Sequence, residues 1–147
     1  MRKPNNYDIL CTDYIEGLIG EDFKWGEITC FAVALKTTDH IYNTDLFEQF
    51  NEKGGEDLLS EEGSKSHCQN GEGLSFLKDV GFKEVSKIHS GDILYCVKDG
   101  WECTHTYVGG NFVSAEIGGK VALIPAKTLY RHLKLNSTEY LLLSCHQ

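Results

Sequence analysis

The apolar residues change period once along this chain, near Gly81, and that change restricts the fold more than any other feature. Before it, apolar side chains recur every three to four residues; after it, short alternating runs are separated by glycine pairs. Helices gathered at one end and strands at the other define an α+β domain, because a parallel βαβ sheet requires the two to alternate.

Ile9, Tyr14, Ile15, Leu18 and Ile19 lie mostly on one helical face, and Gly20 offers a stop. Thr29 caps or opens a segment, Cys30 to Leu35, that is apolar on every side and therefore suited to a central, buried helix. Asp45 to Phe50 reads as a short third helix with Phe47 and Phe50 inward, and Leu74 to Phe82 as a fourth, ended by Gly81. Between them, residues 51–73 form a polar run with no sustained period, expected to be a long loop or insertion.

The later part reads as strands over Gly91–Val97, Glu102–Val108, Asn111–Glu116 and Lys120–Ile124, joined through Asp99-Gly100, Gly109-Gly110 and Gly118-Gly119. Such turns make an antiparallel meander. Lys127–Leu133 is a helical or extended bridge, and Tyr140–Cys145 a last strand. No internal repeat interrupts the 147 residues, so a single domain over 1–147 is expected, large enough to build a core without staples.

Twenty-two acidic residues against 14 basic ones give a net charge of −8, which argues against binding a phosphate backbone. The first eight residues lead into a mixed acidic segment with no apolar stretch, so no secretory signal is expected. The six cysteines, at 11, 30, 68, 96, 103 and 145, contain no CxxC pair. Zinc-ribbon spacing is absent, no metal or cofactor is expected, and a reducing cytoplasm would leave all but at most one pair as free thiols.

Two residues could carry chemistry together. Cys30 stands at the start of a helix, where the helix dipole favours a thiolate, and His105 stands inside a strand that could hold its ring against that helix. A buried structural thiol and a half-exposed surface histidine are the competing readings. The other histidines, His40, His67, His89, His132 and His146, lie in loops or late segments without a partner pattern. Gly91-Asp92 is ordinary turn chemistry before a strand, Trp25 reads as a core anchor, and Trp101, at a hairpin tip, as the more exposed aromatic.

Taken in order, Trp25-Gly26 before Cys30-Phe31-Ala32, Gly91-Asp92 opening a strand, His105 in the next strand and a Gly109-Gly110-Asn111 turn resemble the NlpC-type papain-like cysteine peptidases, above all the small phage tail-associated branch. The likeness spans about residues 23–135. It implies a papain-like α+β fold in which Cys30 is the nucleophile and His105 the base, with Ser114 at the position that orients the histidine and Glu116 two residues on. It also implies cleavage of peptide bonds in bacterial cell-wall stem peptides, with peptidoglycan and other phage tail proteins as partners. The place would be the virion, after synthesis in the host cytoplasm, with no nucleic acid and no membrane insertion.

The sequence departs from that family in three places. Thr29 replaces the usual Asp before the cysteine, Phe31 follows where a small or polar residue is usual, and Ser114 replaces His, Asn or Gln. These departures keep open a second reading, a catalytically inactive structural component of a tail tip.

Overall fold

The computed structural model describes residues 3–52, 60–63 and 71–145. Helix α1 (Tyr7–Glu16), α2 (Cys30–Tyr42), α3 (Leu46–Glu52) and α4 (Glu72–Asp79) precede a six-stranded antiparallel sheet. Its strands are β1 (Lys83–Glu84), β2 (Ile93–Lys98), β3 (Trp101–Val108), β4 (Asn111–Ser114), β5 (Ala122–Pro125) and β6 (Tyr140–Ser144), with α5 (Ala126–Leu135) between the last two. The order across the sheet is β1-β6-β2-β3-β4-β5. Most of the expected loop at 51–73, with Cys68 and His67, lies outside the described residues.

Turn chemistry sets the register. Asp99 and Gly100 both have positive φ, 52° and 82°, as a two-residue hairpin loop of the mirror-image type requires, and they bring Lys98 opposite Trp101. From there the pairing runs Cys96 with Cys103 and Leu94 with His105. Gly109 and Gly110 repeat the device between β3 and β4, pairing Val108 with Asn111 and Tyr107 with Phe112.

Alternation then divides the sheet into two faces. Ile93, Tyr95, Val108 and Val113 face the first helices, and Leu94, Cys96 and Phe112 face α5 through Leu129 and Leu133. The bridge at 127–133 is therefore a helix, and it covers the second face of the sheet. The segregation expected at Gly81 is incomplete for that reason: a sheet apolar on both sides needs a helix on each.

Central placement of α2 follows from its composition. Phe31, Val33 and Leu35 are buried on different sides of it, against α3 and α4 on one side and α1 on the other. Thr29 caps it by accepting the Ala32 N–H at 3.1 Å. The hydroxyls of Thr37 and Thr38 are satisfied inside the helix by the carbonyls of Val33 and Ala34, so no polar group is stranded. Among the described residues no helix is long and apolar enough to cross a membrane.

Asp92 is more than a turn residue. Buried at the head of β2, it accepts from the Ser144 hydroxyl at 2.6 Å and from the His89 N–H at 2.8 Å, fastening β2 to β6.

Candidate functional site

The ladder between β3 and β4 stops at Tyr107 and Phe112. The outer half of β3 therefore parts from β4, and the N-terminus of α2 meets that open edge. A cleft of about 460 Å³ results, lined by Trp25, Cys30, Trp101, Cys103, Glu116 and Ile117 among others. Trp101 lines the cleft and is half-buried, not the exposed aromatic expected of it. Trp25 is half-buried there too, edge-on to Phe23 at 4.9 Å, and is a cleft wall rather than a core anchor.

Cys30 is the first residue of α2 and half-buried in this cleft. The neighbouring Cys103 thiol on β3, with burial added, holds the Cys30 thiol well above its ordinary pKa, against the downward pull of Thr104. A helix N-terminus alone would lower it.

Cys103 continues the chain of thiols. Its bond with Cys30 pulls its pKa down, but the bond it makes to Cys96 and its burial push it up to about 12. Cys96 ends the chain and is lowered, first by the hydrogen bond from Cys103 and further by Lys98. The thiol of this group that ionises most readily is thus Cys96 inside the sheet, not Cys30 in the cleft.

His105 is buried to 2% exposure. Its Nε2 lies 3.7 Å from the Cys103 sulfur, and its Nδ1 is 2.9 Å from the Val113 carbonyl. Burial lowers its pKa, opposed by the Val113 bond, so the ring is neutral near pH 7 with its proton on Nδ1. The sulfur within hydrogen-bond reach of the His105 ring is that of Cys103, at 3.7 Å, and among the described residues no hydrogen bond joins Cys30 to His105.

The two residues expected to steady the ring are placed as follows. Ser114 ends β4 opposite Ala122, and the hydrogen bond to the imidazole comes from the carbonyl of its neighbour Val113. Glu116 is exposed beyond the end of β4, and acts on His105 only through its charge.

Cys103 is the residue that sequence reading passed over, although its position directly across from Cys96 follows from counting back from the Asp99-Gly100 turn. Cys96, Cys103 and His105 bring their sulfur and nitrogen atoms within 4.8 Å of one another. The five described cysteines, at 11, 30, 96, 103 and 145, are free thiols.

No family model and no curated protein matches the sequence. Among solved structures the chain is similar to a protein described as Rv1477, a hypothetical invasion protein of Mycobacterium tuberculosis, with a TM-score of 0.52 over 98% of this chain at 15% identity. This chain spans 66% of that one. At that identity the likeness is one of fold.

Proposed function

We propose that this chain is a papain-like domain of the NlpC kind that keeps the peptide-binding cleft but not the hydrolytic pair, and serves as a binding or structural part of a phage tail tip that meets peptidoglycan. The observation that carries this reading is the contact made by His105. Its Nε2 meets the Cys103 sulfur at 3.7 Å, whereas a nucleophilic Cys30 needs that imidazole to take its own proton. The cysteine at the head of a central helix, the neighbouring β-sheet and the fold likeness support the papain-like part. The sequence motifs alone support the phage and cell-wall part.

Purified peptidoglycan from several wall types tests it. The protein should sediment with the insoluble wall and release no new amino termini, and Trp101→Ala should weaken sedimentation several-fold by removing an aromatic wall of the cleft. Release of amino termini that disappears in Cys30→Ala would overturn the proposal.

One observation favours the peptidase instead: Thr104 pulls the Cys30 pKa downward and so favours its thiolate. In that reading Cys30 attacks the amide carbonyl and passes its thiol proton by way of Cys103 to His105, which returns it to the departing amine as the C–N bond breaks. Cys30→Ala, Cys103→Ala and His105→Ala should then each abolish release.

A further inference from the structure

Antiparallel pairing sets Cys96 directly opposite Cys103, and His105, two residues further along β3, projects from the same face. Three donors of soft or borderline character thus rise from one side of a single hairpin, with their ligand atoms all within 4.8 Å. Tetrahedral zinc, with Zn–S near 2.3 Å and Zn–N near 2.0–2.1 Å, needs its sulfur and nitrogen ligands roughly 3.5–3.8 Å apart. The Cys103 to His105 separation, 3.7 Å, already meets that requirement.

The histidine is also held as a ligand is held. With the proton fixed on Nδ1 by the Val113 carbonyl at 2.9 Å, the lone pair of Nε2 is turned toward the Cys103 sulfur. Leu94, Phe112, Leu129 and Leu133 pack around the same face and supply no oxygen ligand. Cys103 also borders the cleft, which gives an ion a way in.

We propose that Cys96, Cys103 and His105 form a binding site for a thiophilic metal ion of the zinc class, with both cysteines bound as thiolates and His105 through Nε2. A buried set of two sulfurs and one imidazole selects such an ion over calcium or magnesium, which take oxygen ligands. Cys30 neighbours Cys103 on the cleft side and stays outside the set.

The test is a titration of the reduced, full-length protein with Zn²⁺ in competition with a chromogenic chelator, followed by X-ray absorption of the zinc-loaded wild type. One ion per chain is expected, with a first shell containing two sulfurs and one imidazole nitrogen. Cys103→Ala and His105→Gln should each weaken binding by more than about 100-fold, beyond the 10–100-fold that loss of an outer-shell partner costs. Cys11→Ala and Cys145→Ala should stay within about threefold of wild type, because both lie outside the set. No binding by folded, reduced wild type, or a first shell without sulfur, would overturn the proposal. Equal loss in Cys11→Ala would overturn it too. The wild-type spectrum decides the matter even if a substituted protein fails to fold.

Discussion

The two faces of the β2–β3 hairpin carry buried polar groups from neighbouring positions in the chain, Glu102 and Cys103 among them, yet handle them in opposite ways. On the face toward the first helices, Glu102 is 4% exposed and accepts from the N–H groups of Gly73 and Leu74, at 3.0 and 2.9 Å, and from the Tyr95 hydroxyl. The carboxylate thus closes the N-terminus of α4, where the helix dipole favours negative charge. On the face toward α5, Cys96, Cys103 and His105 have mainly one another, and the His105 Nδ1 bond to Val113. One face is closed by strong protein donors and fastens the fold. The other gathers weak sulfur hydrogen bonds, and its groups remain available to a stronger partner.

If that contrast is right, the largest effect belongs to Glu102. Glu102→Ala should cost about 3–5 kcal/mol in urea unfolding, because it strands two N–H groups and a hydroxyl away from water. Next is Gly73→Ala. A Cβ there would lie 2.3 Å from the Phe31 ring, so about 1–3 kcal/mol of overpacking is expected, measured the same way.

On the other face, Cys103→Ala without metal should cost about 1 kcal/mol, since it removes weak hydrogen bonds and one small buried side chain. A loss as large as that of Glu102→Ala would erase the contrast. Zinc added to wild type, but not to this variant, should raise the thermal midpoint, as any ligand of the folded state does.

A smaller effect is expected from pH. Burial lowers the His105 pKa below the ordinary value of about 6.5, so its contribution to stability is present above that value and is lost as pH falls through the lowered folded value. Wild type should therefore unfold at lower urea near pH 5 than near pH 7.5, and His105→Gln should reduce that difference. The smallest change concerns thiol chemistry: Cys30 should react with iodoacetamide slowly at neutral pH, and faster in Cys103→Ala, which removes the bond holding its proton. Rapid alkylation of Cys30 in wild type would show that its thiol is activated after all.

Much of the architecture was legible in residues because it rests on local rules. The glycine turns at 100 and 109–110, the cap at Thr29 and the all-round apolar segment from Cys30 to Leu35 led to the strands and to a central helix with Cys30 at its head. Less legible was α5: Lys127–Leu133 was helix or extended, since the need for a second covering helix arises only once the sheet's far face exists.

The site divides along the same line. Sequence by itself determined which side chains share a face of the hairpin, because a two-residue turn and a period of two leave no freedom in the register. It did not determine which thiol would meet which partner. Spacing alone pairs Cys30 with His105, and it hides Cys96, Cys103 and His105 because no CxxC joins them. Where α2 docks and where β4 leaves β3 depend on packing among segments far apart in the chain. Those long-range contacts brought the imidazole to the Cys103 sulfur, and its Nδ1–H to the Val113 carbonyl rather than to Ser114.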